Sequence, residues 1–193
     1  MARPRLYDDS LRRDLINEAS RTISTAGAPG LSLRSLATSC QTTTAAIYSL
    51  FGNKEALVTA VLAEGFSRFH AHLAKVPRTD DPAADLLALG LAYRTSALQD
   101  PHFYRVMFGG MHDQDKPPAA MDTFNALEAA VARLVPAEYA KIGAIRLWAL
   151  SHGLVSLELG GLVLGTADQL QDLYASTLRD IGRSLFTPPQ PPE

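Results

Sequence analysis

The chain has 193 residues, of which 47% are hydrophobic and 20% charged, and its formal net charge is −2. This length accommodates one large or two small domains with a substantial hydrophobic core. The single cysteine, Cys40, excludes an intramolecular disulfide framework and a zinc site made of several cysteines. The charged N-terminus is not followed by an apolar segment, and no run of about 18 apolar residues occurs. We therefore expect a cytoplasmic protein with neither a signal peptide nor a membrane span.

The charge is unevenly distributed along the chain. Residues 1–56 contain seven basic and five acidic residues, a net charge of +2, whereas the remainder has a net charge of −4. A basic head on an acidic body is typical of a protein that binds a polyanion at one end only.

Apolar residues recur at intervals of three and four residues, and strand patterns are almost absent. This periodicity predicts an all-α protein of about nine helices. The predicted helices lie at 11–26, 33–39, 43–50, 54–73, 83–99, 119–135, 137–161 and 167–186. A further helix begins at Pro101. The proline-rich end, residues 188–193, cannot form a helix and is predicted to be a disordered tail.

The second and third helices are short and are joined by a tight turn, which are the dimensions of a helix-turn-helix, here at about 33–51. The recognition helix of that motif brings its first turn to phosphates and base edges, so small residues and hydroxyls suit that turn. The third helix begins with such residues: Thr43, Thr44, Ala45 and Ala46.

The rest of the third helix has an inner and an outer side. Ile47 and Leu50 are predicted to face the first two helices, whereas Tyr48 points outward. The Tyr48 hydroxyl and the Lys54 ammonium group are then available to phosphates. Alternatively, the threonines only cap a helix, and Tyr48 and Phe51 are packing aromatics.

The run GAPGLSLRSLATSCQTTTAAIYSLFGNKEALV, residues 27–58, resembles the DNA-binding head of the tetracycline-repressor (TetR) family of bacterial transcription regulators. The matching pieces are Gly30 with LSLRSLA, the pair Tyr48 and Phe51, and NKEAL at the start of the fourth helix. The resemblance implies a DNA-binding domain at 1–56, followed by a ligand-binding and dimerisation domain at 57–187. It places DNA-contacting positions at Ser32, Arg34, Thr43, Thr44, Ala45, Ala46, Tyr48 and Lys54.

Two features near this head leave alternatives open. Arg3 and Arg5 form either an arm that enters the minor groove or a solvated terminus. The turn reads Cys40-Gln41-Thr42, where the family has a small residue, a glycine and an apolar residue. A left-handed conformation at Gln41 costs about 1 kcal/mol, which leaves the geometry of this turn open.

Residues 100–110 and 146–161 resemble the C-terminal domain type of this family that is named for a Trp-His-Gly signature, here Trp148, His152 and Gly153. One hypothesis is that His152 donates a hydrogen bond inside a ligand pocket. The other is that Trp148 fills the core, Gly153 allows a close helix crossing, and His152 is a satisfied buried histidine.

In this family the C-terminal helices bind a small ligand, so we predict a pocket among the middle helices. The candidates are mostly aromatic, and such a stripe is more often plain core than the wall of a binding cavity. They imply an apolar or aromatic ligand with few charges. The candidates are Phe66, Phe69, Tyr93, Tyr104, Met107, Phe108, Met111, Phe124, Trp148 and His152.

The last two helices carry more apolar residues than one chain can bury, which predicts a homodimer. Such pairing gives two recognition helices the one-turn spacing of a palindromic operator, about 34–36 Å. The predicted interface residues are Leu150, Leu154, Leu157, Gly161, Leu164, Leu170, Leu173, Leu178, Ile181 and Leu185.

The resemblance and the residues together imply a dimeric, ligand-responsive transcriptional repressor. The alternatives are a DNA-binding protein that responds to no ligand and a helical enzyme. The sequence contains no nucleophile elbow, no phosphate-binding glycine loop and no set of residues with metal-ligand spacing. We therefore predict no catalytic residue, no metal site and no cofactor; the predicted partners are operator DNA, a second copy of the chain and a small effector.

Overall fold

The computed structural model describes residues 6–109 and 118–185, and these residues form nine α-helices and no strand. The helices are α1 (Leu6–Ala26), α2 (Leu33–Ser39), α3 (Thr44–Phe51), α4 (Lys54–Leu73), α5 (Pro82–Gln99), α6 (Pro101–Phe108), α7 (Pro118–Val131), α8 (Ala137–Leu159) and α9 (Ala167–Leu185). The predicted all-α fold is confirmed. The predicted tail at 188–193 lies outside the described residues, as do Arg3, Arg5 and Met111.

The helix bounds agree with the sequence periodicity to within a few residues. The bounds of α2 and α4 are those predicted, and α3 begins one residue late because Thr43 serves as its N-cap. The first helix begins at Leu6, five residues before the predicted start. The seventh ends at Val131, where the chain leaves the helix in a series of turns that includes a bond from Leu134 N to Val131 O at 2.8 Å.

The described residues form two compact units. The first contains 6–68 and 100–109 together with 118 and 119, and the second contains 69–99 and 120–185. The helix α4 thus contributes residues to both. The predicted boundary after residue 56 separates a DNA-binding domain from a ligand-binding domain, and it stays a prediction.

The core of the first unit is built on α1, against which α2, α3 and α6 pack. Residues spaced four apart line one side of α1, so their side chains enter the core together. Burying each such aliphatic side chain stabilises the unit by about 1.5–3 kcal/mol. The buried residues include Leu15, Ala19, Ile23, Leu36, Ile47, Leu57, Val61, Phe103 and Val106.

In the second unit, α5, α8 and α9 pack on one another, and α7 adds Val131 to a buried cluster with Ala144 and Leu147 of α8. The contact of α5 with α9 is close at Gly90. A Cβ atom at Gly90 would lie 2.5 Å from Leu178 Cδ1, so only glycine fits without a shift. The buried Tyr174 of α9 also donates its hydroxyl to Gly90 O at 3.0 Å.

None of the helices described above is both long and apolar enough to cross a membrane. Among the same residues, no group of three or more His, Cys, Asp or Glu side chains is placed to hold a metal ion.

Candidate nucleic-acid interface and ligand cavity

The helices α2 and α3 form a helix-turn-helix whose inner side is fixed by two buried residues. Leu36 of α2 and Ile47 of α3 lie in the core that α1 lines. Between the two helices, Cys40 N donates to Leu36 O at 3.0 Å and Thr42 N donates to Ala37 O at 2.9 Å. These bonds satisfy carbonyls at the end of α2, so the turn is well defined.

The turn contains Gln41, whose backbone conformation the sequence resemblance left open. Gln41 has a φ of 51°, and no other non-glycine residue in the described part of the chain has a positive φ. The turn therefore keeps the left-handed conformation that glycine adopts without strain, and Gln41 carries the strain.

The first turn of α3 is capped and exposed. Thr43 is extended, and its Oγ1 accepts a hydrogen bond from Ala46 N at 3.1 Å. This cap uses the Thr43 hydroxyl and contributes about 1 kcal/mol to the helix. Thr44 and Ala45 are exposed, Ala46 is half-buried, and Tyr48 is 54% exposed. Tyr48 is therefore not a packing aromatic, which excludes that part of the alternative interpretation.

The start of α2 has the same design. Ser32 Oγ accepts a hydrogen bond from Ser35 N at 3.3 Å, so the Ser32 hydroxyl serves as an N-cap. Arg34, in the first turn of this helix, is exposed to solvent.

Lys54 lies at the start of α4 and reaches back to the connection between α1 and α2. Its Nζ donates a hydrogen bond to Pro29 O at 3.3 Å. The preceding residue, Asn53, accepts a hydrogen bond from Ala56 N through Oδ1 at 2.7 Å. Sequence reasoning missed this cap, although an asparagine immediately before a helix indicates one.

Phe51 differs from Tyr48, its partner in the sequence motif. Its ring is half-buried against the core of the first unit, and the Arg12 guanidinium carbon lies 5.1 Å from the ring centroid. The packing interpretation therefore holds for Phe51. The contact with Arg12 is a cation–π interaction that sequence reasoning missed, since no local pattern pairs residues this far apart.

The second unit contains a cavity of about 380 Å³ between α5, α7, α8 and α9. Its walls are mainly leucine side chains: Leu86, Leu87, Leu127, Leu134, Leu147 and Leu178. Ala83 and Ala84 add small side chains to the wall, and the polar side chains among its described residues are Ser151 and Arg179.

Two family models match this chain. Residues 15–61 match the model described as bacterial regulatory proteins of the tetR family, and residues 86–181 match the tetracyclin repressor-like C-terminal domain. The chain belongs to the TetR family. TetR-family proteins are DNA-binding, ligand-responsive transcription regulators, and this chain is one of them and not an enzyme.

Solved structures agree with this regulator's fold. It is similar to a protein of unknown function from Rhodococcus sp. RHA1, with 25% identity, coverage of 92% of this chain and 96% of that one, and a TM-score of 0.73. A TetR-like transcriptional regulator from the same organism is 18% identical, with coverage of 95% and 99% and a TM-score of 0.74. AibR in complex with isovaleryl coenzyme A and operator DNA is 18% identical, with coverage of 86% and 97% and a TM-score of 0.70. No curated protein sequence matches the chain.

The nine predicted pocket residues that the structure describes do not line the cavity. Four of them belong to the first unit of the TetR regulator and pack on one another. The ring centroids of Phe66 and Phe108 are 6.0 Å apart, and those of Tyr104 and Phe108 are 4.9 Å apart. Met107 is buried nearby, beside Gly65.

The other five belong to the second unit. Phe69 and Tyr93 form an edge-to-face pair with centroids 5.0 Å apart, and Phe124 and Trp148 form one at 6.1 Å. Edge-to-face contacts of this kind stabilise the packing of neighbouring side chains. A ligand-binding role for these residues stays a prediction.

The Trp-His-Gly residues of this TetR regulator follow neither hypothesis fully. Trp148 is 38% exposed and so does not fill the core, and a Cβ atom at Gly153 would meet no described atom within 4 Å. His152 Nδ1 lies 3.4 Å from the Tyr93 hydroxyl, and its Nε2 lies 3.5 Å from Ser156 Oγ. Burial lowers the pKa of His152 below 6.5. The C-terminal family match does not support the finer Trp-His-Gly type, which stays a prediction.

Most of the predicted dimer residues that are described are open to a partner. Leu157 and Leu173 are exposed, Gly161 and Leu164 are exposed in the connection between α8 and α9, and Leu150, Leu154 and Leu170 are half-buried. The predicted interface position of Leu178 is corrected by the structure. Leu178 is 8% exposed and lines the cavity, because α9 turns this residue toward α5. The side chains of Ile181 and Leu185 lie outside the described residues.

Sequence reasoning missed a second exposed apolar row, on the N-terminal half of α8. Tyr139, Ile142, Ile145 and Trp148 are spaced three apart and are all exposed. Their spacing was the available signal, because residues three apart lie near one another on a helix.

Proposed function

We propose that this TetR regulator is a cytoplasmic repressor that binds a palindromic operator as a homodimer and is released by a small effector. The observation that carries the DNA-binding proposal is the outer side of the helix-turn-helix. Ile47 anchors α3 from below, which leaves Thr44, Ala45 and Tyr48 open to solvent on a rigid helix. A recognition helix needs this combination of a fixed base and an exposed, sterically small first turn.

The exposed groups suit different parts of a DNA duplex. Thr44 and Ala45 are small enough to let α3 approach the bases, and their methyl groups match the thymine methyl group. Tyr48, Arg34 and Lys54 donate to phosphates, which fixes the position of the helix without reading sequence.

Ser32 and Thr43 act differently from these side chains. Since both hydroxyls accept a backbone hydrogen bond as N-caps, we infer that they hold the first turns of α2 and α3 in place. Ala46 is half-buried, so its contribution is to let the backbone of α3 lie close to the duplex.

The homodimer is supported by the exposed leucines of α8 and α9. Leu157 and Leu173 lie on these helices, and Leu164 lies in the connection between them. An exposed apolar set of this kind is typical of an oligomer interface. Pairing with a second copy removes it from water and presents two α3 helices to two half-sites, one DNA turn apart.

Release requires that the effector bind one conformation of the dimer more tightly than the other. The helix α4 contributes residues to both units and begins with Lys54, so a shift of α4 changes how Lys54 and α3 are presented. A coupling free energy of about 1–3 kcal/mol is typical and lowers the affinity for DNA about 5- to 150-fold.

The test is binding of the purified protein to the promoter DNA beside its own gene, at two salt concentrations and with nonspecific competitor DNA. We expect retention of that fragment, weakening steeply with salt. Tyr48→Ala should weaken this retention, whereas Tyr139→Ala, on an exposed tyrosine of α8, should leave it unchanged. Equal retention of promoter and competitor DNA would contradict an operator-binding repressor.

A further inference from the structure

The walls of the cavity in the second unit restrict the chemistry of what it holds. Six leucines from α5, α8, α9 and the region of α7 line it, and no carboxylate of a described residue does. Its volume of about 380 Å³ lies at the lower end of the range for small-molecule sites, about 300–1,000 Å³. The part of a ligand that enters must therefore be small and apolar.

Ser151 is the one uncharged polar side chain among the described residues of this wall, and the residue as a whole is 5% exposed. Its hydroxyl makes no hydrogen bond to a described residue, and since no fully buried side-chain oxygen of those residues lacks a partner, this hydroxyl is open to the cavity. It can therefore bond one polar atom of a ligand. The buried body of the ligand accordingly carries at most one such atom.

Arg179 is the one charged residue among those that the structure describes in the wall, and it is exposed, which places it at the opening. It forms no ion pair with any described residue. Two other arginines of the same unit are paired: Arg94 with Glu158, and Arg133 with Asp85. The neighbouring residue in sequence, Asp180, lies about 100° further round α9. The charge at the opening is therefore available to an anion.

We propose that the cavity binds a monocarboxylic acid with an aliphatic body, whose carboxylate pairs with Arg179 while its chain enters among the leucines. This inference rests on the proposed ligand response and names its chemical class. It keeps the sequence-based expectation of an apolar ligand with few charges and specifies one negative charge, held at the opening.

The test is calorimetric titration of the full-length protein, without DNA, with hexanoate, octanoate, decanoate and 1-octanol. Each added methylene should tighten binding about fourfold until the cavity is full. Octanoate should bind about fivefold more tightly than octanol, the upper end of what an exposed ion pair gives. This preference should shrink at high salt.

Variants separate the charge from the cavity. Arg179→Gln should remove the preference for octanoate over octanol, and Arg179→Lys should keep most of it. Arg146→Gln, on an exposed arginine of α8 outside the cavity wall, should leave the preference unchanged. Ala84→Phe places a larger side chain at an exposed part of the wall and should weaken both ligands together.

Equal affinity for octanoate and octanol, an unchanged preference in Arg179→Gln, or no binding of any of these acids would each overturn the proposal. Retention of promoter DNA is measured separately and without ligand. If promoter binding persists while the acids fail to bind, the ligand class is wrong and the DNA-binding function stands. If the acids bind while promoter retention fails, the repressor function is wrong instead.

Discussion

Arg94 of α5 and Glu158 of α8 form a two-pronged ion pair inside the second unit. Arg94 Nε donates to Glu158 Oε2 at 2.7 Å, and Arg94 Nη2 donates to Oε1 at 2.6 Å. The side chains are only 8% and 13% exposed. Because water reaches neither charge freely, each depends on the other for its solvation. The pair thereby fixes the position of α5 against α8.

Removing one member of this ion pair should destabilise the folded protein. We expect Glu158→Ala to lower the free energy of unfolding by about 3–5 kcal/mol, since it leaves Arg94 buried without a counter-charge. Urea denaturation at fixed protein concentration measures this. The double variant Arg94→Met with Glu158→Leu should recover most of the loss, because neither charge is then buried. A cost below about 1 kcal/mol for the single variant would show that solvent screens the pair.

A substitution in the turn of the helix-turn-helix should stabilise the protein. Gln41→Gly should raise the free energy of unfolding by about 0.5–1 kcal/mol, because glycine adopts a φ of 51° without the steric cost that Gln41 bears. Gln41→Val should lower it, because a β-branched side chain tolerates this conformation poorly. Thermal unfolding of the three proteins checks the order. A glycine variant less stable than the wild type would mean that the Gln41 side chain stabilises the turn.

The helices and the exposed outer side of the helix-turn-helix could be predicted because their signals are local. The period of Leu15, Ala19 and Ile23 reports a buried helix face whatever it packs against. Caps such as Ser32 and the exposed side of α3 depend on residues within one or two turns.

The cavity could not be predicted, because it is formed where α5, α7, α8 and α9 converge. The aromatic residues stood out in the sequence, yet they pack on one another, and leucines line the space. Along α8, Ser151 lies in the cavity wall, whereas His152, one residue later, is turned about 100° away. The burial of Leu178 could not be predicted for the same reason. The apolar periodicity of α9 does not show that Gly90, on another helix, leaves room for this side chain.

Variants on the outer side of the helix-turn-helix should separate sequence reading from phosphate binding. We expect Tyr48→Phe and Lys54→Ala to weaken binding to all DNA sequences and to reduce the salt dependence of the affinity. Thr44→Ala should instead change the preferred operator sequence by about 1–3 kcal/mol at one base pair. Fluorescence anisotropy with a panel of operator variants measures both effects.

The Lys54 variant needs a structural control, because Lys54 Nζ also binds Pro29 O. Glu55→Ala, at the adjacent exposed position of α4, tests whether a change at this helix end has the same effect. If all four variants lowered affinity for every DNA equally, the separate roles assigned to Thr44 and the phosphate-binding residues would be wrong.

His152 should make stability depend on pH. Its burial favours the neutral ring, so its pKa in the folded protein is below 6.5. The unfolded chain then takes up the proton first as pH falls. The stabilising contribution is present above about pH 6.5 and is lost as the pH falls through the folded pKa. We expect His152→Gln to show a shallower loss of stability over this range. An NMR titration that places the His152 pKa above 6.5 would contradict this.

The proposed dimer interface should lie on one of two exposed apolar rows of the second unit. Replacing Leu157 and Leu173 together by glutamate should give a monomer, because it puts charges into a surface where each buried leucine contributes about 1.5–3 kcal/mol per copy. Light scattering after size exclusion measures the mass. Met121→Glu, on an exposed apolar residue of α7 outside the predicted interface, should leave a dimer. The leucine variant should also lose operator affinity, since a monomer occupies only one half-site. A dimer that survives the leucine change but is broken by Trp148→Glu would assign the interface to the row on the N-terminal half of α8.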